Sequence, residues 1–202
     1  MPLFSRRYPG RPPVAFTFSH ATNGAFSMTL RTDSARALWV SWGDGSALEK
    51  WNVTASDTVV SHTYPSAASK VVIVSGAPRW ITKLDLGAMV VFGLDVSGLM
   101  GLTYLQATGI GNTITGSVAA LTSLTYLYVL GNNTLSGSVA GLTSLITLTV
   151  FGINTLSGSV AGLTGLTFLA VFGNNTLSGS VTALTGLTNL EVLGSNTLSG
   201  SV

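Results

Sequence analysis

One phrase recurs along the second half of this chain. Residues 132–145 read NNTLSGSVAGLTSL and residues 174–187 read NNTLSGSVTALTGL, with near-copies around both. Aligned on itself, the chain gives unit starts at Ile81, Leu102, Leu124, Leu145, Leu166 and Leu187, a spacing of 21 residues with a single step of 22 at QATGIGNTI. A full unit reads L-x-x-L-x-V-x-G-x-N-T-L-S-G-S-V-x-x-L-T-x. A fixed period of this size is the mark of stacked coils. One unit is too short to bury its own leucines, whereas neighbours stacked about 4.7–4.9 Å apart bury them jointly. In one unit Leu124, Leu127 and Val129, then Leu135, Val139 and Leu142, are the positions expected to point inward.

Two polar columns accompany the apolar ones. Asn112, Asn133, Asn154, Asn175 and Asn196 fall where the chain is expected to turn after each strand. A buried Asn there can bond backbone groups that the turn leaves unpaired. Gly131, Gly152, Gly173 and Gly194 recur just before it, and Gly137, Gly158, Gly179 and Gly200 recur in SGS, which reads as a second turn. Both series point to positive φ or close backbone approach. With L-x-x-L-x-[LV] and the Asn column, residues 81–202 resemble the leucine-rich repeat family, and NTLSGSV is similar to the L-x-G-x-I stretch of its plant-type subclass. The Asn comes one residue later than in the family pattern, so a bulged turn is expected. A right-handed parallel β-helix is the alternative architecture.

Residues 13–77 have another texture. VAFTFS, AFSMTL, ALWVSW, VVSHTY and KVVIVS are short apolar, β-branched runs punctuated by Gly, Asn, Asp and Ser, a pattern that predicts an antiparallel sandwich. WGDGS at 42–46, with SHTY and KVVIVS following it, resembles the PKD-type immunoglobulin-like domain, although SAASKVV lacks the glycine and tyrosine usual before its last strand. In that resemblance Trp42, Asp44, His62 and Tyr64 are structural: Trp42 and Tyr64 pack the core, Asp44 caps a tight turn, and His62 lies in a strand. The expected architecture is therefore mainly β: a basic, proline-rich arm (1–12), a PKD-like β-sandwich (13–77) and a leucine-rich-repeat solenoid with a parallel sheet (78–202). Together the two modules resemble an arrangement of bacterial surface proteins and phage particles.

Charge narrows the functional classes. Only 8% of residues are charged, and all nine Lys and Arg lie at or before Lys83. Beyond it the only charged side chains are Asp85, Asp95 and Glu191, so no nucleic-acid surface is expected there. Cysteine is absent, which excludes disulfides and thiolate metal sites. No Ser–His–acid set, phosphate loop or close carboxylate pair emerges from the spacing. The expectation is a non-enzymatic chain with no catalytic residue, metal or cofactor.

Alternation along a strand places every second residue outside. The outward columns read Tyr104, Tyr126, Thr147, Phe168, Asn189; then Gln106, Tyr128, Thr149, Ala170, Glu191; then Thr108, Leu130, Phe151, Phe172, Leu193. The rings and leucines among them (Tyr104, Tyr126, Tyr128, Leu130, Phe151, Phe168, Phe172 and Leu193) form a candidate contact surface on the concave sheet, fit for a protein neighbour or a glycan. The third column could instead belong to the edge of the core. Arg6, Arg7 and Arg11 mark the arm as a candidate anchor. The opening MPLFSRRYPGRPPVAF lacks the apolar run of a secretory signal, no membrane span is read, and the sequence stops at Val202 on an apolar position, where either the sequence is truncated or another chain covers that end. These features lead to the expectation of a structural or adhesive protein on a virion surface, a capsid decoration or fibre protein. The alternative is a bacterial cell-surface adhesin fragment that binds glycan or host protein. Expected partners are protein neighbours in a capsid, tail or surface layer, with a glycan or a second copy as alternatives.

Overall fold

The computed structural model describes residues 12–201. The anchor candidates Arg6, Arg7 and Arg11 lie outside the described residues. Six antiparallel strands come first: β1 (Val14–His20), β2 (Gly24–Thr32), β3 (Arg36–Ser41), β4 (Glu49–Val53), β5 (Thr58–Tyr64) and β6 (Lys70–Ser75). Five match the apolar runs of the sequence. β4 does not: EKWNV has a charged start and fully buries only Val53, with Trp51 packed at the edge of the core, so it carries no strong apolar signal.

A short 3-10 turn at Pro78–Trp80 leads into six coils. The first holds β7 (Ile81–Asp85) and β8 (Phe92–Asp95), the second β9 (Tyr104–Ala107) and β10 (Thr113–Ser117). In the next three coils a single 13-residue strand serves both sides: β11 (Tyr126–Ser138), β12 (Thr147–Ser159) and β13 (Phe168–Ser180). The last coil holds β14 (Asn189–Gly194) and β15 (Thr197–Ser199). The segment T-L-S-G-S is therefore strand rather than the turn expected from its serines and glycine. It forms a second parallel sheet, in which Ser136 pairs with Thr155 and Ser157 with Thr176.

The corner between the two sheets explains why one strand can bend and continue. Gly152 takes φ 141°, and a Cβ there would lie 2.6 Å from the backbone N and O of Asn133 in the preceding coil. Only glycine fits that approach. The ladder slips at the same place, between Val150 and Asn154, which is the expected bulge. The asparagines then close the gap. Asn154 Oδ1 accepts the Leu135 N–H at 2.9 Å from the coil before, and its Nδ2 donates to the Phe172 carbonyl at 3.4 Å in the coil after. Asn112, Asn133, Asn175 and Asn196 accept from Val91, Ile114, Leu156 and Leu177 in the same way. The remainder of each coil is closed by tight turns, such as Leu142 N–H to Val139 O at 2.9 Å and Leu145 N–H to Leu142 O at 3.0 Å.

The sandwich runs directly into the solenoid. The front sheet has the order β5-β2-β7-β9-β11-β12-β13-β14, antiparallel at β2–β7 and parallel from β7 onward. On the back, β1 joins β8 antiparallel, and β8, β10 and the second halves of the long strands continue in parallel. Leu30 of the sandwich pairs with Leu84, and the register then links Leu84, Leu105, Leu127, Leu148, Leu169 and Leu190. All but Leu190 are fully buried, in one apolar cluster that reaches from Phe16 to Leu184. Each such side chain contributes roughly 1.5–3 kcal/mol by leaving water, so the column is the main source of cohesion between coils.

Replacing Leu148 by Ala removes one rung of that column and is expected to lower the unfolding free energy by about 2–5 kcal/mol. Ile146→Ala, two residues away and 49% exposed, should change it by less than about 0.5 kcal/mol. Urea denaturation of the two variants measures both.

Candidate contact face of the solenoid

The outer side of the front sheet carries the predicted columns in register. Tyr104, Tyr126, Thr147, Phe168 and Asn189 pair in succession, as do Gln106, Tyr128, Thr149, Ala170 and Glu191. Tyr104 and Tyr126 stack with centroids 4.4 Å apart and planes 4° apart; Tyr128 stands beside Tyr126 at 6.2 Å. Phe151 and Phe172 stack at 4.2 Å and 16°. Leu130, Phe151 and Phe172 are half-buried and Leu193 is exposed, so the third column is not part of the fully buried interior.

The middle row shows how tightly the rings cover the sheet. Thr149 and Ala170 point outward, yet each is only 2% exposed, because the larger side chains of the two flanking rows close over them. The Thr149 hydroxyl has no hydrogen-bond partner among the described residues. A buried unpaired hydroxyl costs free energy. Thr149→Val keeps the shape and removes the group, so it is expected to raise stability by about 1 kcal/mol, read as a higher midpoint in denaturant.

Charge enters the face at the sandwich end. Arg31 pairs with Asp57, Lys83 Nζ lies 3.2 Å from Asp57 and 3.7 Å from Asp85, and the same ammonium sits 4.5 Å from the Tyr104 ring centroid. The Tyr104 hydroxyl donates to Gln106 Oε1. Burial, reinforced by Tyr126 and Asp85, pushes the Tyr104 phenol up to about 12, so it remains a neutral donor. A shallow depression of about 280 Å³ lies next to Gln106, lined also by Ser27, Thr29, Asp85 and Met89. The column arithmetic extends to Lys83 and Asp85, one unit before Tyr104 and Gln106. Arg31 and Asp57 come from distant segments joined only by the antiparallel ladder, and no local pattern marks them.

The structural residues of the sandwich form a second polar cluster. The Trp42 and His62 rings stack at 5.0 Å, and the Tyr64 hydroxyl donates to the Trp42 carbonyl at 3.0 Å. Asp44 Oδ1 accepts the Ser46 N–H at 3.0 Å, and Asp44 Oδ2 accepts from His62 Nε2 at 2.7 Å. Gly43 is fixed beside it, since a Cβ there would lie 2.4 Å from the Val71 carbonyl oxygen. His20, in the same aromatic core, has its pKa lowered chiefly by burial. Among the described residues no group of three or more His, Asp or Glu is placed to hold a metal ion, and no helix is long and apolar enough to cross a membrane. No protein-family model matches the chain, and no curated protein matches it either.

The bonds from Ser46 and then His62 hold the Asp44 carboxyl well below the usual carboxylate range. Its folded pKa lies below its unfolded value, so the unfolded chain binds the proton first as pH falls. The stability it contributes is present above about pH 4 and is lost as acid approaches the folded pKa. Wild type should therefore be more stable than Asp44→Asn at pH 7. That gap should narrow below about pH 4, measured by thermal unfolding from pH 7 to pH 2.5.

Proposed function

We propose that this chain is a non-enzymatic structural and adhesive protein, built from a PKD-like sandwich and leucine-rich repeats and displayed on a virion surface as a capsid decoration or fibre protein. The observation that carries the reading is the pair of aromatic ladders, Tyr104–Tyr126 and Phe151–Phe172, standing half-buried on an outer sheet face whose charge is gathered at its sandwich end and at Glu191. Rings stacked between successive coils bring large contact area with little side-chain entropy to lose. The absence of Lys and Arg beyond residue 83 disfavours a polyanionic partner and suits a protein neighbour or an uncharged one. The role of the sandwich in this reading is attachment, and that of the coils is to carry the face outward.

The double variant Phe151→Ser/Phe172→Ser tests it. Full-length protein should co-sediment stoichiometrically with the particles that display it. The variant should melt within a few degrees of wild type and attach at least about 10-fold more weakly, the loss expected from two interface anchors. Equal attachment by the variant would remove the face from the reading. Absence of the wild-type chain from purified particles would remove the virion role.

A further inference from the structure

One titratable side chain in the sandwich core takes no part in the contact face. His20 ends β1 and is fully buried among rings, with the Phe26 and Tyr64 centroids each at 4.6 Å and Phe18 at 6.4 Å. Its Nδ1 accepts the Thr22 N–H at 3.2 Å. A backbone N–H only donates, so Nδ1 carries a lone pair and the proton of the neutral ring sits on Nε2. Nε2 is buried with no hydrogen-bond partner among the described residues. A second proton therefore has no favourable place. On Nδ1 it would point at another donor and break the bond that holds the turn between β1 and β2. The cation so formed would lie in an apolar pocket without an acceptor.

The groups that face His20 make this worse. Lys70 of β6 stands directly across the ladder and is itself buried. From β5 come Tyr64, whose hydroxyl donates to the Trp42 carbonyl, and His62, whose nitrogens have Asp44 at 2.7 Å and Glu49 at 3.7 Å. β2 supplies the uncharged Phe26. β8 meets β1 at Phe92, and its carboxyl, Asp95, lies at the other end of that strand and accepts the Ser97 N–H. His62 thus has two carboxylates in reach, whereas His20 has a cation across from it. Burial, then Lys70 and His62, lowers the His20 pKa. The open chain therefore takes the proton first as pH falls through about 6.5, and stability is lost from there downward.

Position gives that loss a consequence. Ser19, the residue before His20, is where β1 registers with β8, the back join between sandwich and coils. The front join is broader and runs from the Thr29–Asp85 pair to the Thr32–Ile81 pair. Beyond residue 62 the sequence has no histidine, so the coils hold no group of this kind.

We propose that His20 is an acid-sensitive latch: protonation of its imidazole releases the β1–β2 turn and the back join to β8, while the coils keep their fold. The device is independent of what the front face binds.

The test uses the full-length protein between pH 7.5 and pH 5, above the range in which Asp44 takes up its proton. Imidazole nitrogen NMR should find His20 with its proton on Nε2 at pH 7.5. Hydrogen exchange, corrected for the intrinsic pH dependence of amide exchange, should show β1, β2 and β6 opening up to about 30-fold more at pH 5 than at pH 7.5. Strands β11, β12 and β13 should change by less than about 3-fold. His20→Phe keeps a ring in the pocket and should hold the sandwich to the same small change; His20→Gln is the second variant, with an amide oxygen for the Thr22 N–H. If neither variant folds, the wild-type tautomer and exchange pattern still decide. The proposal is overturned if His20 carries its proton on Nδ1, if it becomes charged without any opening of the sandwich, if the coils open in step with the sandwich, or if a folded variant keeps the wild-type acid response.

Discussion

A carboxamide at each corner ties every coil to the one before it. The Oδ1 atoms of Asn112, Asn133, Asn154, Asn175 and Asn196 each accept a backbone N–H from the preceding coil. Without that acceptor the N–H would be buried and unpaired, since the ladder slips where the strand leaves one sheet for the other. The leucine column provides most of the cohesion, but apolar contact is non-directional. The asparagines fix the angle at which the chain turns, and the glycines beside them let the backbones approach closely enough for that bond to form. The stacking of rings from successive coils follows from that repeated corner.

The same geometry accounts for the join with the sandwich. A solenoid needs a cover for its first coil, or an apolar end and an open strand edge face water. Here the cover is two strands already built for pairing: β2 meets β7 on the front and β1 meets β8 on the back. Leu30 occupies the position that a preceding coil would fill with its own leucine. Arg31 of the sandwich and Lys83 of the first coil thereby stand together at one end of a face beyond which the chain has no Lys or Arg, and the depression lined by Asp85 and Gln106 lies at that end.

Most of the coil architecture was legible in the sequence because the period puts chemically equivalent residues at equivalent places. Knowing where Leu127 goes tells where Leu148 and Leu169 go, and the outward rows follow by alternation. The SGS segment was harder. Serines and glycines suggest a turn, and only the second sheet, which forms between coils and not within one, makes it strand. β4 was hidden because Glu49 and Lys50 dilute the apolar alternation. Arg31 and Asp57 were hidden for a deeper reason: unlike Lys83 and Asp85, which the column arithmetic reaches, they share no local pattern, and long-range antiparallel pairing alone brings them to the face.

Because each corner reproduces the last, the length of this molecule is available only in whole steps. Duplicating or deleting one 21-residue unit would move everything beyond it by about 4.8 Å and leave each remaining coil with the neighbours it already fits. A gene that slips by one unit during copying would thus yield another well-packed protein with a slightly different reach. Variation in span is the change this architecture tolerates most easily.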